Sequence, residues 1–553
     1  SVLQYRRSGF VAVAGWGDIK FTSRRSVNVT MKKYLAIPMS AALMFGLAAC
    51  SSDGSSGGGD NYIIAYSVEP QNPLLPANTT ETGGGRPIDM LCSGLVYYDA
   101  KGEEHNEVAE KIETEDSQKY TITLSKDAKF SDGSPVKAEN FVKAWNYAVE
   151  NSLQSESFFE PIKGYAEGAK EMEGLKVVDD YTFTVELTQP EADFPLRLGY
   201  AAFYPMHDSA FDDIEAYGQK PIGNGPYVLE EWNHDASALL VKNPEYVGPR
   251  EAKNDGIDFH FYAKIDAAYT DLLAGNLDVI DAIPDSAFKT YESELNGRAV
   301  NQPAAVFQSF TVPERLDHFS GEEGNLRRQA LSMAFDRSEI TEKIFDGTRT
   351  PAKDFTSPVI AGYDKDLKGH DVLQYNPEKA KELWEKADAI SPWSGSFEIA
   401  YNADGGHQGW VDAVTNSIRN TLGIDAQGKP MPDFKSFRNE VKDRTIQTGF
   451  RTGWQADYPG LGNFLVPLYT TGASSNDGDY SSAAFDAQMK KAAGADSVEE
   501  SNKLYNDGQE ILFQDLPAIP LWYSNVNGGW SENVDNVVFN WKSVPEYYSI
   551  TKK

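Results

Sequence analysis

Polar and apolar residues alternate along Tyr120-Thr121-Ile122-Thr123-Leu124 and again along Tyr181-Thr182-Phe183-Thr184-Val185-Glu186-Leu187. A period of two puts one side of each segment in a core and the other in water, which predicts strands. Tyr62–Val68 reads as a further strand, ended by the turn Glu69-Pro70-Gln71-Asn72-Pro73-Leu74. Elsewhere the spacing is helical. Phe141, Val142, Trp145, Ala148 and Val149 share one face, as do Leu326, Ala330, Met333 and Ala334, with Asn325 expected to cap the second helix. Pro377–Ala387, Gln408–Leu422 and Leu504–Phe513 are three more helices, the middle one stopped by Gly423. A helix ending at Gly275 leads into a strand with Val279 and Ile280. Pro517–Tyr523 reads as a buried strand whose two prolines suit a crossover better than a mid-sheet position. Strands and helices intermingle with no repeat of fixed period.

At 553 residues the chain is too long for one core, and about three to four compact units are expected. The net charge of −31 argues against nucleic-acid binding, which needs basic surface to displace counterions. Of the two cysteines, Cys50 falls in the leader described next, and Cys92 is then expected to be a buried small hydrophobe without a disulfide.

The first Met is Met31. Lys32-Lys33, an apolar run over residues 35–49 and then Cys50 follow it. A positive start and a short apolar stretch ending in small residues describe a secretory signal, too short for the roughly 20 residues of a spanning helix. Leu47-Ala48-Ala49-Cys50 resembles the lipobox of bacterial lipoproteins, which implies lipidation at Cys50. Residues 1–30 are read as upstream translation, 31–49 as the signal peptide and 51–60 as a flexible Ser/Gly tether. Removing 1–49 takes away seven basic residues and one acid and moves the net charge from −31 to −37.

The chemistry concentrates in Phe450-Arg451-Thr452-Gly453-Trp454-Gln455-Ala456-Asp457-Tyr458-Pro459. Pro459 biases Tyr458 toward extended backbone, so Asp457 sits at a strand end or turn. From the residues alone, Asp457 is either a ligand-facing acid or the N-cap of a strand-turn, and Trp454 either lines a pocket or fills a core.

G-W-x-A-D-Y-P followed by Asn463-Phe464-Leu465 resembles a segment of the extracellular solute-binding proteins of ABC importers that carry oligopeptides and dipeptides. Colinear resemblances run from about residue 62 to about 541. They include Y-S-V-E-P-x-N-P-L at the first strand, the helix-turn segment Leu91–Tyr98, K-F-S-D-G-S-P-V-K-A-E-N-F-V near residue 130, G-x-G-P-Y at 223–227 and the Arg327–Arg337 helix. The Arg327-Arg328 pair on that helix is read as a solvated or salt-bridged face. The resemblance implies a two-lobed α/β periplasmic-binding-protein-like fold of type II, with a small α/β domain inserted in the first lobe. Residues 61–85, 215–310 and 521–553 would form lobe one, 86–214 the inserted domain and 311–520 lobe two. Asp457 would pair with a peptide's α-ammonium. Gly453, Trp454 and Gln455 would form the backbone-pairing edge, and Val68 and Glu69 a second edge.

The partners implied are a peptide ligand, the membrane subunits of an ABC transporter and a lipid membrane reached through the anchor. The protein would be a monomer on the extracytoplasmic face of the cell membrane. No G-x-S-x-G and no H-E-x-x-H is present, and the seven histidines are dispersed. No catalytic residue, metal ligand or cofactor is therefore expected. The same fold binding an oligosaccharide or a metal chelate is the alternative, and a secreted acidic hydrolase the weaker one.

Overall fold

The computed structural model describes residues 61–553; residues 1–30, the signal segment, Cys50 and the tether lie outside the described residues. Its spine is one mixed sheet. From one edge the strands run Asp425–Met431, Ser396–Asn402, Gly449–Gln455, Ala299–Thr311, Ile519–Trp530, Val279–Ile280, Tyr62–Ser67, Gly256–Phe261, Ser237–Lys242 and Tyr227–Asn233. Two long antiparallel strands, Ala299–Thr311 and Ile519–Trp530, join the two halves. A separate four-stranded antiparallel sheet is made of Ala109–Thr114, Lys119–Leu124, Thr182–Glu186 and Leu175–Asp179.

Each part has its own apolar centre. Ile63, Ala65, Ile257 and Phe259 from parallel strands pack with Ile88 and Leu91 in the first half. Ile122, Phe183, Val185 and Trp145 close the small domain. Phe310, Ile399, Val414 and Leu512 lie in the large cluster of the second half. A boundary at 85/86 would cut the helix Thr82–Leu91, whose Ile88 and Leu91 belong with the first half.

Several predicted elements form with their expected ends. The helix Gln408–Leu422 stops at Gly423, whose φ of 67° is the left-handed cap that favours glycine. The strand Lys119–Leu124 buries Tyr120, Ile122 and Leu124.

Four expectations are corrected. Ser320, not Asn325, stands at the N-cap of the helix Gly321–Met333, while Asn325 lies inside it and bonds Arg328 and Asp515. Of the two readings of Arg327 and Arg328 the solvated one is corrected, since both are fully buried, and the salt-bridged one holds for Arg327. Arg327 is paired with Glu323 and Asp388 and flanked by Trp384 and Trp393. The segment 91–98 is no helix-turn but a helix end and the short strand Val96–Tyr98, preceded by a helix through Gly83-Gly84-Gly85 and Pro87. A Cβ on Gly83 would lie 2.8 Å from the Val68 carbonyl, so close backbone approach outweighs helix propensity there. Finally, Ile519–Trp530 is a central strand paired on both sides. Its register with Ala299–Thr311 shifts where Ser309 meets Pro520 and Gln308 meets Trp522, which accommodates the proline's missing N–H.

Cys92 is buried, and burial pushes its thiol up to about 12, so it behaves as a packed apolar group.

Candidate functional site

The strand Gly449–Gln455 pairs along most of its length with Ala299–Thr311. On its other side the ladder to Ser396–Asn402 covers only Gly449 and Phe450. From Arg451 to Gln455 that edge carries no strand partner among the described residues. Unpaired N–H and C=O groups along an extended strand are a template for adding a further strand.

Asp457 follows two residues after this strand. Its carboxylate does not cap the next helix, whose N-cap is Gly460. Asn463 holds it instead. The Asp457 N–H donates to Asn463 Oδ1 (2.8 Å) and Asn463 Nδ2 donates to Asp457 Oδ2 (3.0 Å). Trp454 Nε1 donates to the same Asn463 oxygen at 3.3 Å. Among the described residues Oδ1 of Asp457 accepts no hydrogen bond. Burial pushes its carboxyl above the usual carboxylate range, against the Asn463 hydrogen bond and the Lys542 charge.

Two hollows flank the strand. Gln455 and Asp457 line one, together with Asp89, Tyr98, Tyr200, Trp541 and Lys542. Gly453 and Trp454 line the other, with Phe437, Arg438 and Arg451. Trp454 is half-buried, and besides lining that hollow it packs against the core of the second half. Val68 and Glu69 line neither hollow. The Glu69 carboxylate is occupied by His234 Nδ1 (2.8 Å) and the Asp235 N–H (2.8 Å).

Arg451 also lines the second hollow, and sequence reasoning passed it over. Its Nε is buried without a partner, and its guanidinium makes no hydrogen bond or ion pair among the described residues. Burial, with the nearby Arg438 charge, lowers it to about 10. Arg438 itself is paired with Asp477 at 2.9 Å. Beside it, His407 is lowered to about 4 by burial and the charges of Arg451 and Arg349, so its ring is neutral. A Cβ on Gly453 would lie 3.1 Å from Arg451 Nη2, so glycine leaves that guanidinium room. The available signal was a charged residue in a strand otherwise starting Gly449-Phe450.

The small domain meets the second half beside Asp457. Arg197 pairs with Glu191 (3.0 Å), lies over the Tyr458 ring (5.4 Å) and adjoins Asp193, which accepts from Tyr505 Oη at 3.1 Å. On the surface, Asp99, Glu103 and His105 gather within ligand reach of one another. Asp99 accepts from two backbone N–H groups there, which is turn geometry.

The strand edge thus has a half-satisfied acid beyond one end and a guanidinium without a partner among the described residues at the other. Residues 103–476 match bacterial extracellular solute-binding proteins, family 5 Middle, and the chain belongs to that family. It is 24% identical over 534 residues to the dipeptide-binding protein DppE of Bacillus subtilis, covering 92% of this chain and 97% of that protein. It is 27% identical over 483 residues to the periplasmic murein peptide-binding protein MppA of Escherichia coli, covering 84% and 88%. Among solved structures, the unliganded open form of the murein tripeptide-binding protein MppA superposes with a TM-score of 0.76, at 24% identity over 89% of this chain and 97% of that one. DppA of Helicobacter pylori in complex with the peptide STSA gives 0.71, at 20% identity over 89% and 98%. The fold is the α/β, two-lobed type II periplasmic-binding-protein architecture. No helix among the described residues is long and apolar enough to cross a membrane.

Proposed function

We propose that this protein captures short peptides between its two lobes and delivers them to an ABC importer, held at the extracytoplasmic face of the membrane by lipid on Cys50. The observation that carries the reading is the open edge Arg451–Gln455 with its two uncompensated charges. Asp457 Oδ1 takes the peptide's α-ammonium, the backbone of Gly453, Trp454 and Gln455 pairs with the peptide main chain, and Arg451 takes the terminal carboxylate. Main-chain pairing is indifferent to side chains, so affinity does not depend on one sequence. Asp457 lies six positions after Arg451, about 20 Å of extended chain. Allowing for the reach of the arginine side chain, a peptide of roughly three to five residues bridges both. Relatives named as dipeptide- and murein peptide-binding proteins support the ligand class.

The test is mass spectrometry of ligand released from the purified protein. A mixed set of short peptides with free ends is expected. A single sugar or chelate would overturn the peptide reading. For the anchor, Cys50→Ser is expected to move the protein from the membrane fraction to the soluble one.

A further inference from the structure

We propose that the aromatic-walled hollow beside Asp457 is a subsite for the side chain of the peptide's first residue, that it selects a basic one, and that Asp89 sets the preference. This rests on the peptide-binding reading above.

The charges lining the hollow do not balance. Arg86 is held by Asp281 at 2.9 Å and Arg250 by Glu107 at 2.7 Å. Glu81 is engaged in capping the helix Thr82–Leu91 through the Gly84 N–H. Asp89, Asp457 and Glu546 then share one cation, Lys542. A peptide's ammonium supplies one of the two missing positive charges, and a lysine or arginine side chain supplies the other.

The geometry fits that side chain. Asp89 Oδ1 accepts from Tyr204 Oη at 2.9 Å, while Oδ2 accepts no hydrogen bond among the described residues. Its carboxylate thus has the same half-open inventory as Asp457. Lys542 Nζ lies 5.2 Å from the centre of the Tyr200 ring, so that aromatic face already receives a cation. Tyr200 stands between the two acids electrostatically: both Asp457 and Asp89 raise its hydroxyl. Tyr98 and Trp541 offer apolar wall for a methylene stem, as long basic side chains require. Burial holds the carboxyls of Asp89 and Glu546 above their ordinary values, the direction expected of acids without a full counter-charge.

The experiment is calorimetric titration of the protein and of Asp89→Asn with Lys-Ala-Ala, Ala-Ala-Ala and Glu-Ala-Ala, with thermal midpoints to confirm folding. Lys-Ala-Ala is expected to bind wild type at least about tenfold tighter than Ala-Ala-Ala, and Glu-Ala-Ala more weakly than either. In Asp89→Asn the lysine-to-alanine ratio is expected to collapse to about threefold or less. Equal affinities in wild type, or a ratio unmoved by Asp89→Asn, would overturn the subsite. If Ala-Ala-Ala binds in an Asp457-dependent way and lysine confers nothing, the subsite fails and the peptide reading stands. If no tripeptide binds wild type, both fail.

Discussion

Arg337 and Arg451 lie in the same half of the molecule, and burial lowers both, to about 9 and about 10. Their surroundings differ in one respect. Arg337 Nε donates to the Pro520 carbonyl (2.8 Å), Nη1 to those of Ser332 (3.0 Å) and Leu373 (2.6 Å), and Nη2 to Ser332 Oγ (2.8 Å). Among the described residues the Arg451 guanidinium donates to nothing. The acids repeat the contrast. Asp354 is fully buried and accepts from Thr356 N–H and Oγ1, Gln509 Nε2 and Tyr523 Oη, whereas Asp457 accepts from Asn463 alone. A shifted pKa therefore does not separate structure from site here. The hydrogen-bond inventory does: those of Arg337 and Asp354 are filled and tie strands and helices together, whereas those of Arg451 and of one Asp457 oxygen are open among the described residues.

The sharpest way to break the contrast is to remove the filled arginine. Arg337→Met strands three buried carbonyls, and a loss of roughly 3–5 kcal/mol of stability is expected, read as a fall in the denaturant midpoint. Asp457→Asn acts the other way. Because its folded pKa is raised, ionising Asp457 in the ligand-free protein costs stability, and that cost grows as pH rises through and above the ordinary carboxylate range. The asparagine variant is expected to lose at least about tenfold in peptide affinity, yet to melt no lower than wild type near pH 7. A lower midpoint would place Asp457 with Asp354 instead.

Arg451→Gln is expected to weaken a free tripeptide about tenfold and its C-terminal amide hardly at all, a difference that double-mutant titration reads directly. The smallest effect is in pH. Ammonium pairing needs the Asp457 carboxylate, which faces Asn463, Lys542 and Tyr200 and adjoins Tyr458. Peptide affinity should therefore fall as pH drops from 7 toward 5. The dependence should shallow in Asp457→Asn.

Much of the fold is legible from periodicity, because helices such as Gln408–Leu422 and strands such as Lys119–Leu124 bury one face each. Family motifs point to Asp457 for the same local reason: Pro459 and the strand before it place an acid at a strand end. Misread elements depend on distant partners. Pro520 is tolerated mid-sheet through a register shift opposite Ser309, Gly83 sits in a helix where its backbone closely approaches Val68, and Arg327 and Arg328 are buried because the Trp384 and Trp393 rings and the carbonyls around residue 515 await them. Arg451 and Asp89 share this limit. What marks them is a missing partner, and a missing partner exists only in three dimensions. Asn463 sits inside the motif, but its role as the clamp on both Trp454 and Asp457 needed coordinates.

The most direct measurement is calorimetric titration of one tripeptide in four forms: free, N-acetylated, C-amidated and blocked at both ends. Capture of both termini predicts a loss of at least about tenfold for each single block and a greater loss for the doubly blocked compound. A doubly blocked peptide that binds as tightly as the free one would contradict the assignment of Asp457 and Arg451 to the ligand's ends.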